Sequence, residues 1–114
     1  MPDASTYLKA FGLKEGLVLA GYRLVKLSIQ HIEIERYRRY QYPTSMVWES
    51  LSDATSSSLD LLVEELWHMT KESRTVHSRY GNPYLCSFGR LTITENDDKM
   101  VIAHATGSAV RQSV

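Results

Sequence analysis

The stretch LVLAGYRLVKLSIQHIEIERYRRY, residues 17–40, decides the architecture. Leu17, Ala20, Leu24, Leu27, His31 and Ile34 recur at steps of three and four, and Val18, Tyr22, Val25, Ile29 and Ile32 make a second such series. Between them runs a narrow polar stripe of Arg23, Lys26, Gln30, Glu33 and Tyr37. Strand alternation holds for Ile32 and Ile34 but slips at His31, so the spacing predicts a helix despite the many β-branched residues. A helix over these residues is about 36 Å long at ~1.5 Å per residue, and Pro43 ends it, because the residue before a proline is driven out of the helical region. An amphiphile apolar around most of its circumference needs cover on two sides, from its own chain or from a second copy.

Downstream, Met46 to Leu51 read as one or two helical turns that set Trp48 against the core, and Ser52 to Ser58 as a polar loop. A second amphipathic helix is expected from Ser58 to Ser73. Leu59, Leu62, Val63, Leu66 and Met69 or Thr70 form its inner stripe, and Glu64, Glu65, His68, Lys71 and Glu72 its outer face. Tyr80-Gly81-Asn82-Pro83 is a turn. Tyr84 to Thr94 and Met100 to Thr106 read as an antiparallel hairpin, with Leu91 and Ile93 sharing a face with Val101, Ala103 and Ala105, and a bulge at Gly89. Upstream, Ser5 caps a short helix through Phe11 that closes at Gly12 and packs as a lid.

Two strands alone are marginal in water. The short extended piece Thr75-Val76-His77, the tail beyond Gly107 or a hairpin from another chain must complete the sheet. The expected fold is therefore one α+β domain over residues 1–114: a long central helix and a second amphipathic helix packed on a small antiparallel β-hairpin sheet that is completed in a homodimer.

A chain of 114 residues fits one domain, and 43% hydrophobic residues give it a core without covalent staples. Cys86 is the sole cysteine, which excludes an internal disulfide framework and points to an intracellular, cytoplasmic setting. No run approaches the ~20 apolar residues of a membrane span, so no membrane partner is expected. Thirteen basic residues balance thirteen acidic ones, but unevenly. Arg23, Lys26, Arg36, Arg38 and Arg39 outnumber Glu33 and Glu35, whereas Glu49, Asp53, Asp60, Glu64, Glu65 and Glu72 face Lys71 alone. Complementary patches of this kind suit self-association.

Catalytic chemistry is poorly represented. Glu65, His68 and Glu72 line up on one helical face, but carboxylate-bridged metal centres need a second Glu-x-x-His helix, and Cys86 has no partner at zinc-ligand spacing. No metal and no cofactor is expected. Cys86 and His104 lie on strands that pair, and with His77 they make the one cleft a small enzyme of this sequence would use. The glycines are too scattered for a phosphate loop or dinucleotide fingerprint.

The run Arg36-Tyr37-Arg38-Arg39-Tyr40-Gln41-Tyr42 interleaves phosphate-binding and base-stacking side chains, while arginine and tyrosine are also enriched at protein interfaces. Pro83-Tyr84-Leu85-Cys86, the hairpin and Ala105-Thr106-Gly107-Ser108-Ala109 resemble the middle of a double-stranded RNA-binding domain, but the Gly-x-His loop, the third strand and the lysine-rich last helix are missing. The resemblance therefore carries no RNA-binding residues with it.

The sequence points first to a non-enzymatic protein-interaction or assembly module that self-associates or takes a protein partner. Its expected interface residues are Tyr37, Arg38, Tyr40, Tyr42 and Trp48. The alternative is an RNA or single-stranded nucleic-acid binder using Arg36, Tyr37, Arg38, Arg39 and Tyr40 with Arg74, Arg79 and Arg90. A small enzyme built on His77, Cys86 and His104 is third.

Overall fold

A computed structural model describes residues 2–34, 39–96 and 99–113. Where a spine helix was expected, the chain forms strands. The elements are α1 (Ala4–Ala10), β1 (Val18–Leu19), β2 (Tyr22–Ile29), β3 (Ile32–Ile34), β4 (Arg39–Ser50), α2 (Ser58–Thr70), β5 (Ser73–His77), β6 (Pro83–Glu95) and β7 (Met100–Arg111). They build one antiparallel sheet of order β1-β2-β4-β7-β6-β5, with β3 pairing β4 beyond the end of β2. The sheet curls into a half-barrel that holds both short helices against its concave face. Its longest dimension is 48 Å, close to the ~43 Å spanned by thirteen residues at ~3.3 Å each.

A β-bulge explains why the decisive stretch mimics a helix. The register between β2 and β4 shifts between Leu24 and Lys26, so one residue is inserted at Val25. Tyr22 and Leu24 face the core before the bulge; Leu27 and Ile29, opposite Met46 and Thr44, face it afterwards. The inward steps thus become two, three, two, close enough to the helical spacing to satisfy it. The β-branched and aromatic residues that count against a helix are the ones that fit a pleated sheet.

Pro43 also has a different role. It sits inside β4, opposite Thr106 of β7, and its carbonyl accepts from Gln30 N at 3.0 Å. Its missing N–H lies on the β2 side, where Gln30 and His31 interrupt the ladder, so proline divides β2 from β3 without disturbing the pairing with β7. Met46 to Leu51, expected as helical turns, continue the strand through Ser50. The β1–β2 connection is a two-residue turn with Ala20 at φ 51° and Gly21 at φ 81°, the left-handed pair that matches strand twist.

The second helix and the hairpin lie close to where the sequence places them. α2 buries Ser58, Leu62 and Leu66. Leu91 and Ile93 face inward with Val101, Ala103 and Ala105, and the β6–β7 register shifts between Gly89 and Thr92, with Arg90 at φ 52°. The sheet is completed within the chain. β7 runs on through Arg111 to pair with β4, and β5 covers the outer side of β6 over Tyr84 to Ser87, so the hairpin needs no second copy to extend it.

α1 is an internal plug. Asp3, not Ser5, caps it, accepting from Thr6 N at 2.8 Å. Tyr7 is fully buried, stacks on Tyr42 at 4.3 Å and donates to the Ser87 carbonyl at 2.6 Å. The ring lies directly against Gly107: a Cβ there would fall inside the van der Waals envelope of Tyr7 Oη and Cζ and 2.9 Å from the Ser87 oxygen. The other end of the concave face is filled by Trp48, Leu24, Met46, Val101, Leu62 and Leu66, all nearly inaccessible.

Candidate functional site

Beside α1, the concave face stays open along β2. Leu8, Leu13, Leu27 and Ile29 line a groove of about 830 Å³ whose polar rim includes Ser5, Lys9 and Lys14. The groove exists because cover of the β2 edge stops at Leu24: β1 pairs with Tyr22 and Arg23, Leu24 N donates to Leu17 O, and Gly16 N donates to Leu24 O, at 2.8 Å each. Farther along, the main-chain groups of Leu27 and Ile29 point away from β4, since their alternating neighbours Ser28 and Gln30 are the ones turned toward it. The Glu15 carboxylate accepts from Leu27 N at 3.1 Å, standing in for a neighbouring strand. A free edge held by one charged side chain is a common way to keep a sheet from pairing indiscriminately.

The outward face of α2 is the second unusual surface. Leu61 and Trp67 are half-exposed, and Glu64 lies between them in an i, i+3, i+6 row. Asp60, Glu64 and Glu65 make the face acidic. Glu64 lies 3.6 Å from His68, and Glu72 contacts Arg74; these are the two ion pairs among the described residues. The Glu65, His68, Glu72 alignment therefore does not gather as a ligand set, and no group of three potential ligands occurs among the described residues.

A third feature is the end of the sheet where β4 and β6 begin and β5 and β7 finish. Arg39 pairs with Val110 there, and Arg111 with Tyr84. Arg111 reaches Asn82 Oδ1 at 3.4 Å, and Arg79 lies over the exposed Tyr80 ring at 5.8 Å. Just inside, His31 packs against Tyr40 and Tyr42 at 5.4 and 5.6 Å, and Tyr40 meets Tyr84 edge-on at 5.7 Å. Burial raises the pKa values of the Tyr7, Tyr40 and Tyr42 hydroxyls above the ordinary phenol range. These rings are neutral structural contacts at physiological pH.

Of the interface residues expected from sequence, Tyr42 and Trp48 lie wholly inside the core and Tyr40 is half-buried in the aromatic cluster. Tyr37 and Arg38, with Arg36, lie outside the described residues. Of the nucleic-acid set, Arg39 and Arg79 share the basic end, Arg74 lies 6.0 Å over the Phe11 ring on the concave side, and Arg90 occupies the β6 bulge. The basic end and the two α2 anchors were partly or wholly missed. Arg111 sits in a tail whose course was open, and Leu61 and Trp67 fall off the periodic stripe that announced the helix.

The His77, Cys86 and His104 side chains do not converge. Cys86 pairs with Ala109 and faces the core, His104 pairs with Thr92 on the opposite face, and His77 is exposed at the far edge. Desolvation pushes the buried thiol up to about 11, which keeps it protonated and unreactive. On the outer face near His104, a shallow depression of about 290 Å³ runs between Ser28, Gln30, Pro43, Ser45 and Thr106. The Ala105 to Ala109 run, which resembles the approach to the last helix of a double-stranded RNA-binding domain, is the later part of β7. Among the described residues no helix is long and apolar enough to cross a membrane.

Comparison of the chain with protein families, with curated proteins and with solved structures finds no match.

Proposed function

We propose that this protein is a protein-interaction module whose working surface is the groove between α1 and β2. The observation that carries the reading is the apolar trough of about 830 Å³ left beside α1 where the neighbours of β2 stop at Leu24. Leu8, Leu13, Leu27 and Ile29 would bury the apolar face of a bound segment, and Lys9 and Lys14 would meet its charged flank. The candidate nucleophile is sealed in the core as a neutral thiol, which favours binding over catalysis.

The test is selection of binders from a displayed library of amphipathic helical peptides, followed by amide chemical-shift mapping. Selected peptides should shift the resonances of Leu8, Leu13, Leu27 and Ile29. Ser5→Trp, which fills the trough from an exposed position, should abolish binding without lowering stability. Shifts confined to another face would refute the reading.

A single-stranded nucleic acid is the second reading, favoured by Arg39, Arg79 and Arg111 gathering at one end beside the exposed Tyr80. It predicts affinity that falls steeply with salt and is lost in Arg39→Ala/Arg79→Ala. A flat anisotropy titration at low ionic strength would remove it.

A further inference from the structure

The groove and the α2 face are complementary in both polarity and charge. On the groove side, Lys9 and Lys14 are exposed and form no ion pair among the described residues, and Arg23 and Lys26 lie exposed on the outer side of the same strand. The acid nearby, Glu15, is committed to Leu27 N. On the α2 side, Leu61 and Trp67 are 50% and 49% exposed, whereas the other large apolar residues of the helix turn inward or lie partly covered. Asp60 and Glu65 flank them without ion pairs among the described residues.

We infer that the occupant of the groove is α2 of a second copy of this chain. The inference rests on the groove being the working surface, and it adds the identity of the partner. Leu61 and Trp67 enter the trough against Leu8, Leu13, Leu27 and Ile29, and Asp60 and Glu65 face Lys9 and Lys14. Leu61 and Trp67 stand six residues apart, nearly two turns along the helix, so they enter the trough at two points along its length with Glu64 between them. The charge pairs set its direction and suppress the reverse one. Because the helix and the groove are different surfaces of one molecule, the contact is heterologous. Each docked copy leaves one helix and one groove free, so assembly proceeds to chains or closed rings and does not stop at a symmetric dimer.

The experiment uses two full-length variants in sedimentation velocity. Leu61→Ser/Trp67→Ser removes the helix anchors, and Lys9→Glu/Lys14→Glu reverses the groove rim; all four positions are exposed, and thermal unfolding checks that both variants fold. Wild type should associate with rising concentration across the micromolar range. Losing Trp67 alone should weaken that association roughly thirtyfold, as for a central aromatic anchor. Each double variant alone should be monomeric, and an equimolar mixture should give a dimer and nothing larger, because it retains one intact helix and one intact groove. Adding Asp60→Lys/Glu65→Lys to the Lys9→Glu/Lys14→Glu chain should restore association.

A wild-type chain that stays monomeric throughout overturns the inference. So does association that is indifferent to Leu61 and Trp67, or failure of the mixture to pair. If wild type is monomeric while library peptides still bind in a manner sensitive to Ser5→Trp, the second copy is the wrong occupant and the groove reading stands.

Discussion

Replacing Gly107 with alanine tests the internal docking of α1, on which the shape of the groove depends. The added methyl would overlap Tyr7 Oη and Cζ and press to 2.9 Å from the Ser87 carbonyl, so the ring must leave its place. That ring is fully buried, is stacked on Tyr42 and donates to Ser87 O. Removing a buried aromatic costs about 3–5 kcal/mol, with the stacking worth ~1 kcal/mol of that and the hydroxyl bond another ~1 kcal/mol. Gly107→Ala should therefore lose about 3–5 kcal/mol in urea unfolding, up to the cost of Tyr7→Ala. The decisive measurement is the double variant. Once Tyr7→Ala has removed the ring, Gly107→Ala should add clearly less than it costs in the wild-type chain, the remainder being the 2.9 Å approach to the Ser87 backbone oxygen, a coupling outside the additivity of independent sites. A Gly107→Ala loss under about 1 kcal/mol on its own, or two losses that simply sum, would refute the packing argument.

Other outcomes follow from the same contacts. The Tyr7 and Tyr42 hydroxyls and the Cys86 thiol have folded-state values above their ordinary ones of 10.0, 10.0 and 9.0; their contribution is complete below the unfolded values and is lost as pH rises through the folded ones, so alkaline unfolding should begin above about pH 9 and be delayed in Cys86→Ala relative to its own neutral-pH stability. Asp3 is held below 3.8 chiefly by the backbone hydrogen bond from Thr6, so its contribution is present above that pH and fades as pH falls through the lower folded value; Asp3→Ala should cost ~1 kcal/mol at neutral pH and less in acid. Arg90 occupies the left-handed region at φ 52°, and Arg90→Gly should raise stability by ~1 kcal/mol in thermal unfolding. A thiol reagent at neutral pH should label Cys86 only as fast as the core opens; immediate stoichiometric labelling would contradict its burial.

Legibility followed the range of the interactions. α2 was readable because Leu62 and Leu66 repeat on one face of a continuous helix. The β6–β7 hairpin was readable because its alternation and its turn residues lie within one short segment, and the bulge beside Gly89 was marked by the glycine itself. β2 was not readable: inserting Val25 changes which residues face inward, and the resulting series satisfies a helical period that local inspection cannot reject. Pro43 was misleading for a related reason. A proline is excluded from a ladder only where its N–H is required, and that is known only when the break between β2 and β3 is seen beside it.

The groove was equally hidden, because Leu8 and Leu13 meet Leu27 and Ile29 only after α1 has been anchored through Tyr7 to a strand eighty residues away. Local pattern determined the second helix and the closing hairpin. Tertiary structure alone decided that residues 17–40 are sheet, that the sheet is finished within one chain, and which apolar side chains remain uncovered. The physical reason is that strand identity and surface exposure depend on partners distant in sequence, whereas helical periodicity and turn chemistry are written among near neighbours.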